Sequence, residues 1–361
     1  MNDLRDLLDR AIGPIDPPTH RALDLTVHRA QRRQRRRRVG GTIVGLAASL
    51  IALTLVVWVL TGRQSDRPAA GAEGIFTFVG GDNLTGRYRL YTMDADGSAL
   101  TVIPTGDTIP FAASPSPDGE RIVMMASEPW QNGAMPNLQL FLMNTDGSQL
   151  EEIAVCPDDG CQGTITVSWS PDGRTLLFPG KGNGIWALDL ETRQSRRLSG
   201  GDLDTNPVFS PEGDRIAFER TEPALDPSAQ IWLMNADGTG PRPLTDEESV
   251  HEASQPAWSP DGSTVAYVEG GEPGGTAGLV VIGADGSSTR QLTTCVFGSC
   301  DRFPSFPVWS QDGGTIAVLL QHPRLASTDL ALVDTTSGDL RVVREFPFSA
   351  SSLSWQTASG S

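Results

Sequence analysis

Short apolar runs separated by Gly-, Pro- and Asp-rich turns fill residues 75–356. In one of these segments Trp169 is followed by a Ser-Pro-Asp-Gly turn at residues 170–173 and then by an apolar run at residues 175–178. In such a turn Pro fixes φ at the first corner, Asp hydrogen-bonds to its own backbone, and Gly accepts a positive φ. The pattern predicts a β-hairpin.

This turn recurs along the chain. Ser-Pro-Asp-Gly or a close variant stands at residues 116–119, 170–173, 210–213, 259–262 and 310–313, at intervals of 40 to 54 residues. A second Asp-Gly turn joins the next two predicted strands, at residues 94–97, 144–147, 235–238 and 283–286. Four antiparallel strands in a repeat of this length are typical of a propeller blade.

The two ends of the repeat region indicate how the ring closes. The first segment, residues 75–78, aligns with the second strand of the other repeats, and the last, residues 353–355, aligns with a first strand. A C-terminal strand in that position would complete the first blade and close the ring. The sequence therefore predicts an all-β, six-bladed β-propeller over residues 75–356, with a disordered C-terminus at 357–361.

Three motifs carry a family resemblance. Trp258 precedes Ser-Pro-Asp-Gly at 259–262, residues 231–238 read Ile-Trp-Leu-Met-Asn-Ala-Asp-Gly, and residues 290–293 read Arg-Gln-Leu-Thr. With them, residues 75–356 resemble the TolB-like, WD-repeat-like β-propeller family. The whole chain resembles single-pass, membrane-anchored actinobacterial proteins of this type. The resemblance implies a fold and no particular activity.

The N-terminal segment has a different pattern. Residues 1–38 form a predicted short helical tail that ends in a block of arginines, and residues 39–61 carry no charge. As a helix the apolar run would rise roughly 35 Å, enough to cross a hydrocarbon core of about 30 Å. The arginines predict an N-terminus in the cytoplasm and a propeller outside it, joined by a linker at 62–74. The alternative is a cleaved signal peptide with a small-residue site at 70–72.

The charge distribution narrows the partners. The net charge is −16, and because residues 1–38 contribute +5, residues 62–361 carry −21. Phosphate contacts need Lys and Arg, so a domain this acidic is not expected to bind nucleic acid. The predicted partners are the cytoplasmic membrane and a protein, peptide or glycan of the cell envelope.

Four cysteines form two close pairs. Cys156 and Cys161 lie between the second and third repeats, and Cys295 and Cys300 lie between the fifth and sixth. In a six-bladed ring these positions are opposite each other, which excludes one four-cysteine zinc site. Outside the cytoplasm two local disulfides are expected, with free thiols as the alternative.

The recognition surface is predicted from the topology. Both kinds of short turn lie on one face of the disc, and long, varied loops connect the strands on the other. Residues that begin the first strands should ring the mouth of the central channel, and further residues on the loops should make outer contacts. The predicted mouth residues are Asn206, Gln255 and Phe306, and the predicted outer contacts are Trp130, His251, Glu252 and Asp301.

Catalytic signals are weak. The sequence has no Gly-x-Ser-x-Gly motif, only two histidines follow the apolar run, and the residues that begin the first strands carry no charge. We therefore expect a binding, sensor or scaffold module, not an enzyme, with no metal and no cofactor. The alternatives are a propeller enzyme of the lyase, lactonase or glycosidase type acting in the central channel, and a receptor that signals through residues 1–38.

Overall fold

The computed structural model describes the repeat region and not the N-terminal segment. The described residues are 73–82, 87–129, 138–155, 166–180, 184–200, 203–221, 229–246, 252–270, 276–296, 301–322 and 325–356. The predicted tail (1–38), transmembrane helix (39–61), most of the linker (62–74) and the C-terminal residues 357–361 lie outside them. Within the described ranges no helix is long and apolar enough to cross a membrane.

The described residues form antiparallel β-strands, which we number in chain order and assign to groups. Group 1 contains β1 (Ile75–Asp82), β2 (Arg87–Asp94), β3 (Thr101–Ile103) and the C-terminal β25 (Ser349–Gln356). Group 2 contains β4 (Ile109–Pro115), β5 (Arg121–Ser127), β6 (Gln139–Asn144) and β7 (Glu151–Val155). Group 3 contains β8 (Ser168–Trp169), β9 (Thr175–Gly180), β10 (Gly184–Asp189) and β11 (Ser195–Arg197).

The second half of the chain repeats this arrangement. Group 4 contains β12 (Asp204–Phe209), β13 (Arg215–Thr221), β14 (Ala229–Asn235) and β15 (Arg242–Pro243). Group 5 contains β16 (Glu252–Trp258), β17 (Thr264–Gly270), β18 (Thr276–Gly283), β19 (Arg290–Gln291) and β20 (Cys295–Val296). Group 6 contains β21 (Phe303–Trp309), β22 (Thr315–Gln321), β23 (Thr328–Asp334) and β24 (Leu340–Phe346). In the described part of the chain, groups 4 and 5 form one nine-stranded sheet, joined by a single parallel pair between Ala229 and Glu252.

The C-terminal strand completes the first group. β25 pairs antiparallel with β1, and the register places Gln356 opposite Ile75 and Trp355 opposite Phe76. This pairing joins strands from the two ends of the described repeat region, as the sequence pattern predicted. It also gives β1 a second hydrogen-bonded neighbour beside β2.

The recurring turn has the predicted hydrogen bonds. The backbone N–H of Gly173 donates to the carbonyl of Ser170 over 2.9 Å, and Gly173 has a φ of 68°. The Ser170 hydroxyl donates to the Asp172 carboxylate over 2.6 Å and accepts from the N–H of Thr175 over 2.9 Å. The Ser170 hydroxyl therefore acts as a donor and as an acceptor within the turn, and its bond to Thr175 fixes where the second strand begins.

The core consists of hydrophobic clusters that each draw buried side chains from two groups consecutive around the ring. Leucine, isoleucine, valine, methionine and phenylalanine of adjacent sheets meet there, as a stack of half-buried sheets requires. Representative side chains, in ring order, are Leu90 with Met124, Met125 with Phe178, Leu177 with Phe218, Leu233 with Tyr267, Leu279 with Val318, and Leu319 with Phe78. The last cluster joins group 6 to group 1.

Several first strands differ from the prediction in length. The sequence predicts β12 only at Val208 and Phe209, whereas the strand begins at Asp204. The additional residues pair with β13 across a bulge, where the register shifts between Thr205 and Val208. A bulge places an extra residue on one strand, and Pro207 falls within it, so the apolar alternation that marks a strand is interrupted there.

Candidate functional site

The first strands of the six groups surround a channel. Residues of β4, β8, β12, β16, β21 and β25 line a cavity of about 410 Å3. Because the strands run from the long loops toward the Ser-Pro-Asp-Gly turns, one end of the channel opens at the loops and the other at the turns. We call these the loop face and the turn face.

Four residues near the loop face have a left-handed backbone. Asn206, Gln255, Phe306 and Ser352 have φ values of 50°, 56°, 50° and 57°, and each lies at a bulge of its first strand. For an L-residue this conformation costs roughly 1–2 kcal/mol, and for a bulky residue such as Phe306 it is unusual. Repetition in groups 4, 5, 6 and 1 shows that the bulge is a constant feature of this part of the ring.

A chain of hydrogen bonds joins the first strands at this level. The Thr166 hydroxyl donates to the Oδ1 atom of Asn206 over 3.1 Å, and Nδ2 of Asn206 donates to Oε2 of Glu219 over 2.7 Å. The N–H of Gln255 donates to the same Glu219 atom over 3.4 Å, and Oε1 of Gln255 accepts from the N–H of Phe306 over 2.6 Å. Groups 3, 4, 5 and 6 are therefore connected through polar groups beside the channel.

Glu219 is the functional candidate that the sequence prediction missed. It lies on β13, a second strand, in register with Thr205 of β12. Ala217 of β13 aligns with Ala266 of β17 and Ala317 of β22. The residue two positions after this alanine is Glu219 in β13, Val268 in β17 and Leu319 in β22. A glutamate thus replaces the hydrophobic residue of the next two groups, a signal that aligning the second strands could have found.

Burial changes the acidity of this glutamate. Desolvation raises the pKa of Glu219, since burial disfavours the ionised form, and the nearby charge of Glu252 raises it further. The hydrogen bonds from Asn206 and Gln255 act in the opposite direction without cancelling the rise. A carboxyl group of raised pKa beside the channel can accept hydrogen bonds when ionised and donate one when protonated.

A second cavity opens above the channel at the loop face. Its volume is about 390 Å3, and its lining includes Tyr88, Phe111, Gln255 and Phe306. Tyr88 and Phe111 are in ring contact, with centroids 5.7 Å apart. Gln255 and Phe306 line this cavity and the channel below it, so they lie where the two spaces meet.

Comparison with known proteins bears on the fold. No protein-family model matches the chain. It is 32% identical to the uncharacterized peptidase YuxL of Bacillus subtilis (strain 168) over 117 residues. This match covers 32% of this chain and 17% of the relative. It is 33% identical to the Tol-Pal system protein TolB of Anaeromyxobacter dehalogenans (strain 2CP-C) over 97 residues. This match covers 26% of this chain and 21% of the relative. The solved structure of TolB from Acinetobacter baumannii matches with a TM-score of 0.63 and 20% identity, over 84% of this chain and 70% of that chain.

The chain has a TolB-like β-propeller fold. The matched segments span about a fifth of the curated relatives' own length. At 20% identity the likeness to the solved TolB structure concerns the fold. It agrees with the all-β prediction and with the resemblance of the repeat motifs.

The TolB-like propeller brings only some of the predicted site residues together. Asn206, Gln255 and Phe306 line the channel. Glu252 is exposed at the start of β16, and Asp301 is exposed before β21. Trp130 and His251 lie outside the described residues. The prediction that the residues beginning the first strands carry no charge is wrong for β12 and β16, which begin at Asp204 and Glu252. A further carboxyl group, that of Glu219 on a second strand, is hydrogen-bonded to the channel-lining Asn206.

Of the four cysteines, the structure describes Cys295. Cys295 is disulfide-bonded and lies in β20, which pairs with β18 of the same group. Cys156, Cys161 and Cys300 lie outside the described residues, so the pairing of the four cysteines remains a prediction.

Two buried carboxylates of the propeller form ion pairs away from the channel. Asp204, which is fully buried, receives two hydrogen bonds from the Arg220 guanidinium, at 2.6 and 2.8 Å. Asp329 is 2% exposed, and its Oδ2 atom lies 2.7 Å from Arg302 and 3.0 Å from Nε2 of His322. In the described part of the propeller no cluster of three or more His, Cys, Asp or Glu side chains is arranged to hold a metal ion.

Proposed function

We propose that this chain is a membrane-anchored binding, sensor or scaffold protein whose β-propeller lies outside the cytoplasm and recognises a protein, peptide or glycan at its loop face. The observation that carries the proposal is the hydrogen-bonded row formed by Thr166, Asn206, Glu219 and Gln255 beside Phe306. Amide, hydroxyl and carboxyl groups on a rigid scaffold, next to aromatic side chains, suit the mixed polar and apolar surface of such ligands.

The proposal includes six blades. Each of groups 1 to 6 has four main antiparallel strands, and the hydrophobic clusters between them follow one another around the ring. Among the described residues one parallel register pair joins groups 4 and 5, which favours their interpretation as two neighbouring blades. A rigid ring of this kind would hold the bulged residues at fixed distances from one another.

The proposed location rests on the sequence. The charge-free run at 39–61 and the arginines before it favour an N-terminus in the cytoplasm. Protease added to intact cells should then degrade the chain beyond residue 62 and leave the tail protected. Protection of the propeller in intact cells, with digestion after lysis, would contradict this orientation.

Site-specific photocrosslinking tests the binding function. In the full-length chain, benzoylphenylalanine replaces Phe306 at the mouth or, as the control, Val102, which is 42% exposed on the outer strand β3. We expect a defined adduct with an envelope component from position 306 only, and we expect Asn206→Ala to reduce its yield. Equal adducts from positions 306 and 102, or none from either, would contradict the proposal.

An enzyme is the second candidate, because Glu219 has a raised pKa beside the channel. A carboxyl group of this kind can act as a general acid or base. A propeller lyase, lactonase or glycosidase would place its substrate at the mouth, between Asn206 and Gln255. Turnover in a screen of such substrates by the full-length chain, abolished in Glu219→Gln, would support this candidate over the binding function.

A further inference from the structure

The turn-face end of the channel is lined by aromatic side chains. First strands β8, β12, β16 and β21 end in an aromatic residue immediately before the serine of the turn, and β25 has a tryptophan one residue before its end. These residues line the cavity together with the turn prolines. They are Trp169, Phe209, Trp258, Trp309 and Trp355. The sequence prediction treated this face as uniform and without a binding role, and the aromatic lining changes that view.

The indole rings are fixed by hydrogen bonds to the preceding group. The Nε1–H of Trp169 donates to the carbonyl of Ser114 over 2.9 Å, and that of Trp309 donates to the carbonyl of Ala257 over 3.1 Å. Trp258 makes the same bond to Val208 over 3.3 Å. These bonds hold the three rings in place and use their indole donors within the protein.

Two of the rings are covered by an arginine of the protein itself. The guanidinium carbon of Arg121 lies 5.4 Å from the Trp169 ring centroid, and that of Arg215 lies 4.8 Å from the Trp258 ring centroid. Each arginine is the first residue of a second strand and covers the tryptophan of the next group. Trp169 and Trp258 are both 7% exposed.

The same position holds threonine in groups 5 and 6. In groups 2, 4, 5 and 6 the backbone carbonyl of the first residue of the second strand accepts a hydrogen bond from the N–H of the turn serine. This shared bond shows that Thr264 and Thr315 occupy the position of Arg121 and Arg215. Their side chains are too short to cover the tryptophans of the following groups, Trp309 and Trp355. Both of these tryptophans are half-buried, and among the described residues no arginine lies over either ring.

Trp309 and Trp355 open into a cavity at the turn face. Its volume is about 480 Å3, and Gln311, Gln356 and Asp118 contribute to its lining. Gln311 replaces the proline of the recurring turn. Hydrogen bonds from Ser116 and the Glu120 backbone hold the pKa of Asp118 below its usual range, so the carboxylate at the rim is ionised at neutral pH.

We propose that this turn-face cavity binds an organic cation, a guanidinium or alkylammonium group, against Trp309 and Trp355. The ligand's cation would take the place that Arg121 and Arg215 take over Trp169 and Trp258. Aromatic rings attract such cations through their π surfaces, and the Asp118 carboxylate together with the negative charge of the domain favours their approach. This site lies at the opposite end of the channel from Glu219 and does not depend on the function proposed above.

A binding experiment with a control for added positive charge tests the site. Tetramethylammonium chloride is titrated into the full-length chain in non-ionic detergent, with binding followed by ligand-observed NMR. The test variant is the double substitution Thr264→Arg and Thr315→Arg, which supplies the missing arginines and leaves both tryptophans in place. The control is Gln194→Arg, which adds a positive charge on the exposed outer turn of group 3.

The expected result is saturable binding in the millimolar range by the wild type and by Gln194→Arg. The double variant should bind at least about tenfold more weakly. Tertiary butanol, which has a similar size and no charge, should not compete. Absence of saturable binding to the wild type, equal competition by tertiary butanol, or unchanged affinity in a double variant with the wild-type melting temperature would each overturn the proposal. The butanol comparison uses the wild type alone and decides the question even if the double variant does not fold.

Discussion

The side-chain amide of Asn206 donates to the Oε2 atom of Glu219 over 2.7 Å while Asn206 itself holds a φ of 50°. The backbone of one first strand is thus bent at the point where it meets a partly buried carboxyl group of the second strand. Asn tolerates the left-handed conformation better than most residues, and it supplies both a donor for Glu219 and an acceptor for Thr166. This pair joins the bulged first strand to the acidic group beside the channel.

Replacing Glu219 should change how stability depends on pH. Burial raises the pKa of Glu219, so the folded state holds this proton more tightly than the unfolded state does. Stability is lost as the pH rises from the unfolded pKa through the folded pKa, and it stays at the lower level above that window. Glu219→Gln removes the titration and keeps an acceptor for Asn206. Its unfolding free energy should therefore rise relative to wild type across the window, as measured by denaturant unfolding at several pH values.

Glu212→Gln is the control for this series, because Glu212 is exposed on the turn face. Its stability should follow the wild type at every pH. If Glu219→Gln also runs parallel to the wild type, the pKa of Glu219 is not raised in the folded protein.

Asp204→Ala should be strongly destabilising. The substitution leaves the Arg220 guanidinium without its bidentate partner in a largely buried position, where Arg220 also stacks 4.4 Å from the Trp232 ring centroid. Removal of one member of a buried ion pair costs about 3–5 kcal/mol. Denaturant unfolding should report a loss of this size.

The exposed pair formed by Arg193 and Glu151 is the comparison. Arg193→Ala should lower the unfolding free energy by no more than about 1 kcal/mol, as for other surface ion pairs. Similar losses for the two variants would show that burial does not govern the strength of these contacts.

Gly238→Ala should disturb the contact between groups 3 and 4. Gly238 has a φ of 92°, and an added Cβ would lie 2.5 Å from the carbonyl oxygen of Leu198. Gly119→Ala carries a similar φ of 74° with open space around the added atom. The second variant should cost about 1–2 kcal/mol from backbone strain alone, and the first about 1–3 kcal/mol more from crowding. Thermal unfolding of both variants measures the difference, and equal melting temperatures would contradict the packing argument.

Peptide mapping without reduction should identify two local disulfides, Cys156 with Cys161 and Cys295 with Cys300. Cys295 is disulfide-bonded, and the short separation within each pair favours a bond to its sequence neighbour. Each bridge closes a short loop, so its removal should lower stability by only about 2 kcal/mol. The paired serine variants measure this loss by denaturant unfolding. A peptide that links one of the first two cysteines to one of the last two would contradict the prediction.

The sequence alone determined the local architecture of the repeats. The Ser-Pro-Asp-Gly turns fix their hairpins through bonds between neighbours in the chain, such as Ser170 with Asp172. Hydrogen bonds between residues this close in the chain can be predicted from the sequence. The phase of the repeat at the two ends likewise predicted the pairing of β25 with β1.

Only the tertiary structure decided which residues meet in the channel. Glu219 hydrogen-bonds to the channel-lining Asn206 at the bulge in β12, where the register shifts between Thr205 and Val208, and a bulge leaves no periodic signal in the sequence. In the same way, Arg121 covers Trp169 and Arg215 covers Trp258 across the boundary between two groups. Each arginine and its tryptophan are about one repeat apart in the chain. Their contact therefore depends on how neighbouring sheets pack, which the local sequence pattern does not indicate.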